Sequence, residues 1–193
     1  MGTTLDILRR LSEHGAEFVI VDGTAGVAHG SSLVTEDLDV CVPLTHENVS
    51  RILAALADLN PRWRMPPSRP SVPLDASKLA GVKNLYILSD WGQVDFLSDV
   101  AGIGDYAEAS RRSVTLDIAG RPCRVLSLDA LIEAKGPWAA RKISRQRSNS
   151  RPSAGGCRER GAVNHVRLAS FASHRRRASL FDWLSLSRAS GSR

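Results

Sequence analysis

Two aspartates at alternate positions of an apolar segment constrain this chain more than any other feature. Asp37 and Asp39 alternate with Leu38 and Val40. In a β-strand, alternate residues face the same way, so both carboxylates would project together while Leu38 and Val40 enter a core. Carboxylates this close repel each other unless a cation lies between them. Magnesium prefers oxygen ligands, and a pair of such ions about 3.5–4 Å apart is a usual device for phosphoryl or nucleotidyl transfer.

A third carboxylate is a candidate for the same site. Asp95 lies between Val94 and Phe96 in a later segment that also has strand character. Two aspartates separated by one residue usually mark a solvated strand face, but the flanks of both segments here are apolar. A half-buried strand has little reason to carry such acids unless they are used. We therefore predict a metal site formed by Asp37, Asp39 and Asp95, which are also the candidate catalytic residues.

The first forty residues predict a helix, a strand, a turn and a second helix. Leucines at three-residue spacing indicate an amphipathic helix over residues 4–14. The β-branched segment 18–21 predicts a buried strand, Asp22 and Gly23 a turn, and the small residues 24–29 a short helix. We interpret His29 as a helix-end side chain bonded to the backbone, with orientation of a ligand as the alternative.

The next segments alternate between helix and paired strands. We predict a strand over 38–42, a helix from Thr45 or His46, a loop over 60–73 because of its five prolines, hairpins over 84–97 and 114–125, and a helix over 127–135. Consecutive hairpins among helices favour a mixed sheet over a fully parallel one. The predicted fold class is therefore α/β (α+β): a mixed, twisted β-sheet flanked by helices.

The segment from Phe18 to Val42 resembles a known family. A strand, a glycine turn, a small helix that ends in His29-Gly30-Ser31-Ser32, and then Asp37-Leu38-Asp39 are together similar to polymerase-β-type nucleotidyltransferases. The likeness is to their minimal members and to the nucleotidyltransferase-type toxins of bacterial abortive-infection systems. It continues weakly through Asp95 and Tyr106 and covers about residues 4–135. It implies the nucleotidyltransferase fold for the predicted mixed sheet.

The resemblance also implies a reaction and roles for single residues. The reaction is the magnesium-dependent transfer of a nucleoside monophosphate from a nucleoside triphosphate, ATP or another, to a hydroxyl group. Asp37 and Asp39 would be metal ligands and Asp95 a ligand or the base. The remaining predicted contacts to the nucleotide come from Gly23, Thr24, Ser31, Ser32 and Lys135. Lys135 either reaches a phosphate as a point charge or lies on a solvated helix face.

The acceptor and the partner stay open at this stage. Transfer RNA, a protein hydroxyl and an aminoglycoside-like alcohol are all compatible acceptors, and a cognate antitoxin is a possible protein partner. Two positions depart from the family pattern: Asp22 replaces its first glycine, and Leu33 replaces a basic residue that is frequent there. Both changes oppose triphosphate binding. The alternative function is therefore a decayed relative that acts as a binding module, either a toxin–antitoxin component or an RNA-binding protein.

The net charge of +6 divides unevenly along the chain. Residues 1–140 hold 13 Lys and Arg against 18 Asp and Glu, whereas residues 141–193 hold 13 against 2. We therefore divide the chain into a nucleotidyltransferase-like domain over 1–136 and a basic, Ser/Arg-rich tail over 137–193. Such a tail is either disordered or binds nucleic acid. A third hypothesis is out-of-frame translation after about residue 136, because a two-nucleotide shift with permissible codons restores a family-like motif.

The remaining features concern the compartment. No segment approaches the ~18 apolar residues that span a bilayer, and the N-terminus lacks the order of a secretory signal. We expect a cytoplasmic protein without a membrane partner. Cys41, Cys123 and Cys157 lie far apart, without the spacing of a zinc site, and are interpreted as small buried or incidental residues.

Overall fold

The computed structural model describes residues 2–31, 35, 37–118 and 120–134, together with the backbone of His165–Val166. The helices are α1 (Thr4–Glu13), α2 (Asp22–Ala28), α3 (His46–Leu56), α4 (Tyr106–Arg111) and α5 (residues 128–134), with a short 3₁₀ helix at Ala76–Leu79. The strands are β1 (Val19–Ile20), β2 (Asp37–Cys41), β3 (Arg62–Trp63), β4 (Asn84–Ser89), β5 (Gly92–Leu97), β6 (Asp99–Val100), β7 (Gly104–Asp105), β8 (Ser113–Ile118), β9 (Arg121–Leu126) and β10 (His165–Val166).

Within the described residues, a mixed sheet forms the centre of the fold. Its strand order is β10-β8-β9-β1-β2-β5-β4-β3, and β6 pairs with β7 in a separate ribbon. The β2–β5 and β1–β9 pairs are parallel, whereas β1–β2, β4–β5, β3–β4 and β8–β9 are antiparallel. The predicted mixed sheet flanked by helices is confirmed. The two predicted hairpins are the β4–β5 and β8–β9 pairs.

Side-chain caps start the helices where the sequence predicted them. The Thr3 amide and hydroxyl both donate to Asp6 at the start of α1, at 2.8 and 2.9 Å. Thr45 accepts from the amide of Asn48 at the start of α3, and Ser127 accepts from the amide of Ala130 in α5. Each cap satisfies an amide that the first helical turn leaves without a partner.

The core lies on the face of the sheet opposite the carboxylates. Leu38 and Val40 of β2 and Val94 and Phe96 of β5 are fully buried. They belong to one hydrophobic cluster with the apolar residues of α1 and α3, among them Ile7, Leu11, Ile52, Leu53 and Leu56. The alternation predicted for β2 is confirmed, because Asp37 and Asp39 are only half-buried while their neighbours in the strand are inaccessible.

Two local predictions were wrong. Asp22 and Gly23 do not form a turn: they are the first residues of α2. The proline-rich stretch 60–73 is not loop throughout, because Arg62 and Trp63 pair with Leu88 and Ile87 as edge strand β3. Prolines flank that pairing without occupying it, and an edge strand tolerates them.

Part of the predicted tail contributes backbone to the sheet. β10 pairs in parallel with β8, His165 opposite Asp117 and Val166 opposite Ile118. Apart from β10, the residues after 134 lie outside the described ones. The predicted domain division and the hypothesis of a shifted reading frame therefore stay predictions. Cys41 and Cys123 are buried, as expected, and Cys157 is outside the described residues. In the part of the chain that is described, no helix is both long and apolar enough to cross a membrane.

Candidate functional site

The three predicted carboxylates lie on neighbouring parallel strands. The register of β2 and β5 places Asp39 directly opposite Asp95 and Asp37 opposite Gln93. Directly paired residues project to the same face of a sheet, so Asp39 and Asp95 share one face with Asp37. Asp95 is only 7% exposed. The sequence anticipated this grouping, but the direction and register of the pairing are findings of the structure.

Two threonines hold the start of β2. The hydroxyls of Thr24 and Thr35 both donate to the carbonyl oxygen of Asp37, at 3.0 and 3.1 Å. Gly23 packs so closely here that an added Cβ would lie 3.0 Å from the Thr35 hydroxyl oxygen. These contacts give Gly23 and Thr24 a role in placing the Asp37 backbone. Their predicted contact with a nucleotide stays a prediction.

Asp22 brings a fourth carboxylate to the site. Its φ of 51° lies in the left-handed region that glycine favours. The neighbouring Val21 amide donates to the carbonyl of Asp39 at 3.0 Å, which ties this backbone to β2. The Asp22 charge contributes to the rise in the pKa of Asp39. The sequence had singled out Asp22 as an obstacle to phosphate, and the structure adds its proximity to Asp39.

Sequence reasoning missed the cation of this site, Arg64. Its guanidinium Nη1 lies 2.9 Å from Asp95 Oδ2, and the guanidinium carbon lies 4.9 Å from the centroid of the Tyr86 ring. The Arg64 amide also donates to the Tyr86 carbonyl at 2.9 Å. Arg64 follows β3, in the stretch that the prolines had marked as loop, so no local signal connected it with Asp95.

Burial and mutual repulsion disfavour ionisation in this cluster. Burial, followed by the charges of Asp22, Asp95 and Asp37, raises the pKa of Asp39 to about 6. Burial likewise raises the pKa of Asp95, against the opposing effect of the Arg64 charge. A cation that neutralised these groups would therefore be favoured, because each ionised carboxylate costs free energy while it lacks a counter-charge.

One buried acceptor has no hydrogen-bond partner. Asp95 Oδ1 is inaccessible and makes no hydrogen bond within the described structure. An orphaned carboxylate oxygen, beside further carboxylates with raised pKa, fits a hard divalent cation such as magnesium. Asp37, Asp39 and Asp95 are the side chains that would hold it. No three His, Cys, Asp or Glu side chains of the described residues converge closely enough to hold a metal ion together, so a magnesium ion here would be held by one or two of these carboxylates at a time, with water or phosphate oxygens as its other ligands.

The other predicted site residues either have structural contacts of their own or lie outside the described residues. The Nε2–H of His29 donates to the carbonyl of Leu126 at 2.8 Å, which confirms the structural interpretation of that histidine. The Ser31 amide donates to the Gly26 carbonyl at 2.9 Å and so closes α2. Ser32 and Lys135 lie outside the described residues, so their predicted contacts with nucleotide stay predictions.

A comparison with solved structures finds a Thermotoga maritima protein described as a putative nucleotidyltransferase. The two are 15% identical, with a TM-score of 0.46, over 76% of this chain and 93% of that one. Similarity at this level carries no argument about activity. No family model and no curated protein matches the chain. The candidate site therefore depends on the geometry described above.

Proposed function

We propose that this protein is a magnesium-dependent nucleotidyltransferase that moves a nucleoside monophosphate from a nucleoside triphosphate to a hydroxyl acceptor. The observation that supports the proposal most is the in-register pair of Asp39 and Asp95, whose buried member has one oxygen without a hydrogen-bond partner among the described residues. A structural carboxylate with no further role would be expected to have both oxygens bonded or solvated. Two such acids on the core strands of a sheet are costly unless a ligand compensates them.

Each carboxylate has a distinct place in this mechanism. Asp37 and Asp39 would hold the metal, whose chemistry is to neutralise charge on the phosphates and on the attacking oxygen. Asp95 is either the third ligand or the base that takes the proton of the acceptor hydroxyl. The raised pKa of Asp95 suits proton acceptance. The acceptor oxygen bonds to the α-phosphorus, the α–β bridging bond breaks, and pyrophosphate leaves.

A binding module without catalysis is the second candidate. Asp22 favours it, because the side chain adds negative charge beside Asp39 where phosphate would approach. Arg64 favours it as well, since it already neutralises part of the charge of Asp95. A protein of this kind would bind a partner, such as an antitoxin or RNA, and would transfer no nucleotide.

Labelled transfer separates the two candidates. The protein is incubated with magnesium and each α-labelled nucleoside triphosphate, with transfer RNA, a protein mixture or an aminoglycoside as acceptor. Magnesium-dependent label on one acceptor class, absent with Asp39→Asn, supports the enzyme. Magnesium-dependent triphosphate binding without transfer to any acceptor supports the binding module. Lack of both binding and transfer by the folded wild-type protein rejects the nucleotide site.

A further inference from the structure

Arg64 connects the edge of the sheet to its acidic centre. It follows β3, and its side chain crosses β4 over the Tyr86 ring to reach Asp95 on β5. Neighbouring strands are about 4.8 Å apart, so this path uses much of the length of an arginine side chain. The hydrogen bond from the Arg64 amide to the Tyr86 carbonyl fixes the backbone of Arg64, while the ring contact and the ion pair are both made by its guanidinium.

The ion pair leaves both partners unsaturated. Arg64 binds Asp95 Oδ2 through Nη1, while Asp95 Oδ1 has no hydrogen-bond partner in the part of the chain that is described. A guanidinium carries five N–H donors and forms its strongest complexes by bidentate contact with carboxylate or phosphate. Its side chain is 32% exposed, against 9% for Asp95, so the guanidinium borders solvent while the carboxylate does not. A contact with one bonded oxygen is easier to exchange than a bidentate buried pair.

The charges of the site give Arg64 a second role. Among the described residues, the carboxylates of Asp37, Asp39 and Asp95 outnumber the guanidinium of Arg64 that faces them. When all three are ionised, they repel the phosphates of a nucleotide. One divalent cation and the guanidinium would together balance these three carboxylates. A site loaded in this way no longer repels a polyphosphate, whereas the metal-free one does.

We propose that Arg64 is an exchangeable cation of this site: it pairs with Asp95 in the metal-free chain and binds the phosphate chain of the nucleotide once metal occupies the carboxylates. This inference rests on the proposed function. It predicts opposite effects of one substitution on two ligands. Loss of Arg64 removes a competitor for metal and also removes a binding group for phosphate.

The experiment measures both ligands by calorimetry on the full chain. Mn²⁺ alone probes the metal site, and inorganic tripolyphosphate in saturating Mg²⁺ probes the phosphate site, so no base preference is assumed. Arg64→Gln is expected to tighten Mn²⁺ binding by about fivefold to tenfold and to weaken tripolyphosphate binding by a similar factor. Arg64→Lys keeps the charge and is expected to stay near wild type for Mn²⁺ while losing part of the phosphate affinity.

Arg62→Gln is the matched control, because Arg62 is exposed on β3 and carries the same charge. It is expected to change neither affinity by more than about twofold. Unchanged or weaker Mn²⁺ binding by a folded Arg64→Gln variant overturns the inference, and so does unchanged tripolyphosphate binding. Asp39→Asn shows whether the proposed metal site fails together with the role of Arg64. If it binds Mn²⁺ as wild type does, the proposed metal site fails as well; if it loses Mn²⁺, only the role of Arg64 fails.

Discussion

Asn48 and Asp95 are both buried polar residues, 1% and 7% exposed as whole residues, in very different surroundings. Asn48 joins the start of α3 to the chain before β1. Its amide group donates to the carbonyls of Glu17 and Pro43, at 3.0 and 3.1 Å, and its oxygen accepts from the Glu17 amide at 2.7 Å. Asp95 has one oxygen paired with Arg64, and its other oxygen has no partner within residues 2–134 as far as these are described.

The difference separates a polar group that supports the fold from one that is available to a ligand. Every hydrogen bond that Asn48 makes through its side chain goes to backbone, so it substitutes for secondary structure where two segments meet. Asp95 interrupts a buried strand without such compensation. Polar burial alone therefore does not indicate a site, whereas an unsatisfied buried acceptor does.

The largest expected effect on stability belongs to Asn48. Asn48→Ala leaves one amide and two carbonyls of the backbone without partners, and we expect the free energy of unfolding to fall by about 3 kcal/mol. Urea denaturation measures it. Ser50→Ala on the same helix is the control, because its hydroxyl bonds a carbonyl at an exposed position, and its cost should stay below about 0.5 kcal/mol. An equally small loss of stability with Asn48→Ala would mean that the side chain of Asn48 does not support the fold.

Asp95→Asn and Asp39→Asn test whether the carboxylates of the site are available to a ligand. Both keep the side-chain volume and remove a ligand charge, so we expect Mn²⁺ affinity to fall by about tenfold to a hundredfold. The free energy of unfolding of the metal-free protein should change by no more than about 1 kcal/mol, because the Arg64 partner of Asp95 is partly exposed. Calorimetry and urea denaturation measure the two quantities on the same samples. A variant that loses stability as Asn48→Ala does, with intact metal binding, would make its aspartate a structural residue.

Asp22→Gly tests the effect of the carboxylate beside Asp39. It removes a carboxylate near Asp39 and relieves a left-handed backbone, so we expect nucleotide affinity in magnesium to rise severalfold and stability to rise by about 1 kcal/mol. Asn60→Gly relieves the same φ of 51° at an exposed uncharged residue and should raise stability alone. Asp22→Asn removes only the charge, so a gain in affinity from glycine alone would point to steric hindrance.

The smallest expected effect is on the pH dependence of the metal-free protein. The folded pKa of Asp39, about 6, lies above the unfolded value, so its ionisation destabilises the fold above pH 6 and not below about pH 4. Asp39→Asn should therefore be more stable than wild type by roughly 1 kcal/mol at pH 8, with no difference at pH 4. Urea denaturation in the presence of a chelator at several pH values measures this.

Asp6 provides the control of opposite sign. Hydrogen bonds from the backbone and hydroxyl of Thr3 lower the pKa of Asp6, so its ionisation stabilises the fold above its unfolded pKa. That contribution disappears as the pH falls through the folded value. Asp6→Asn should lower stability at pH 8 and approach wild type on acidification. If the two variants show the same sign of pH dependence, burial and repulsion among the site carboxylates do not raise the pKa of Asp39.

Local patterns in the sequence determined which face of a strand is buried and where a helix begins. The alternation around Asp37 and Asp39 predicted their common face, and threonine and serine predicted the helix starts at Thr45 and Ser127. The hairpins followed from apolar segments on either side of short turns. These features could be predicted because strand and helix periods and capping bonds depend on residues a few positions apart.

Only the tertiary structure decided which strands became neighbours and what lies between them. The parallel pairing that sets Asp39 opposite Asp95, the arrival of Arg64 over Tyr86 and the backbone bonds of Asn48 join distant parts of the chain. A strand's periodicity specifies its buried face but neither its partner nor the direction of pairing. The partner and the direction follow from packing the whole core, because β2 and β5 must bury their apolar faces against α1 and α3 at the same time.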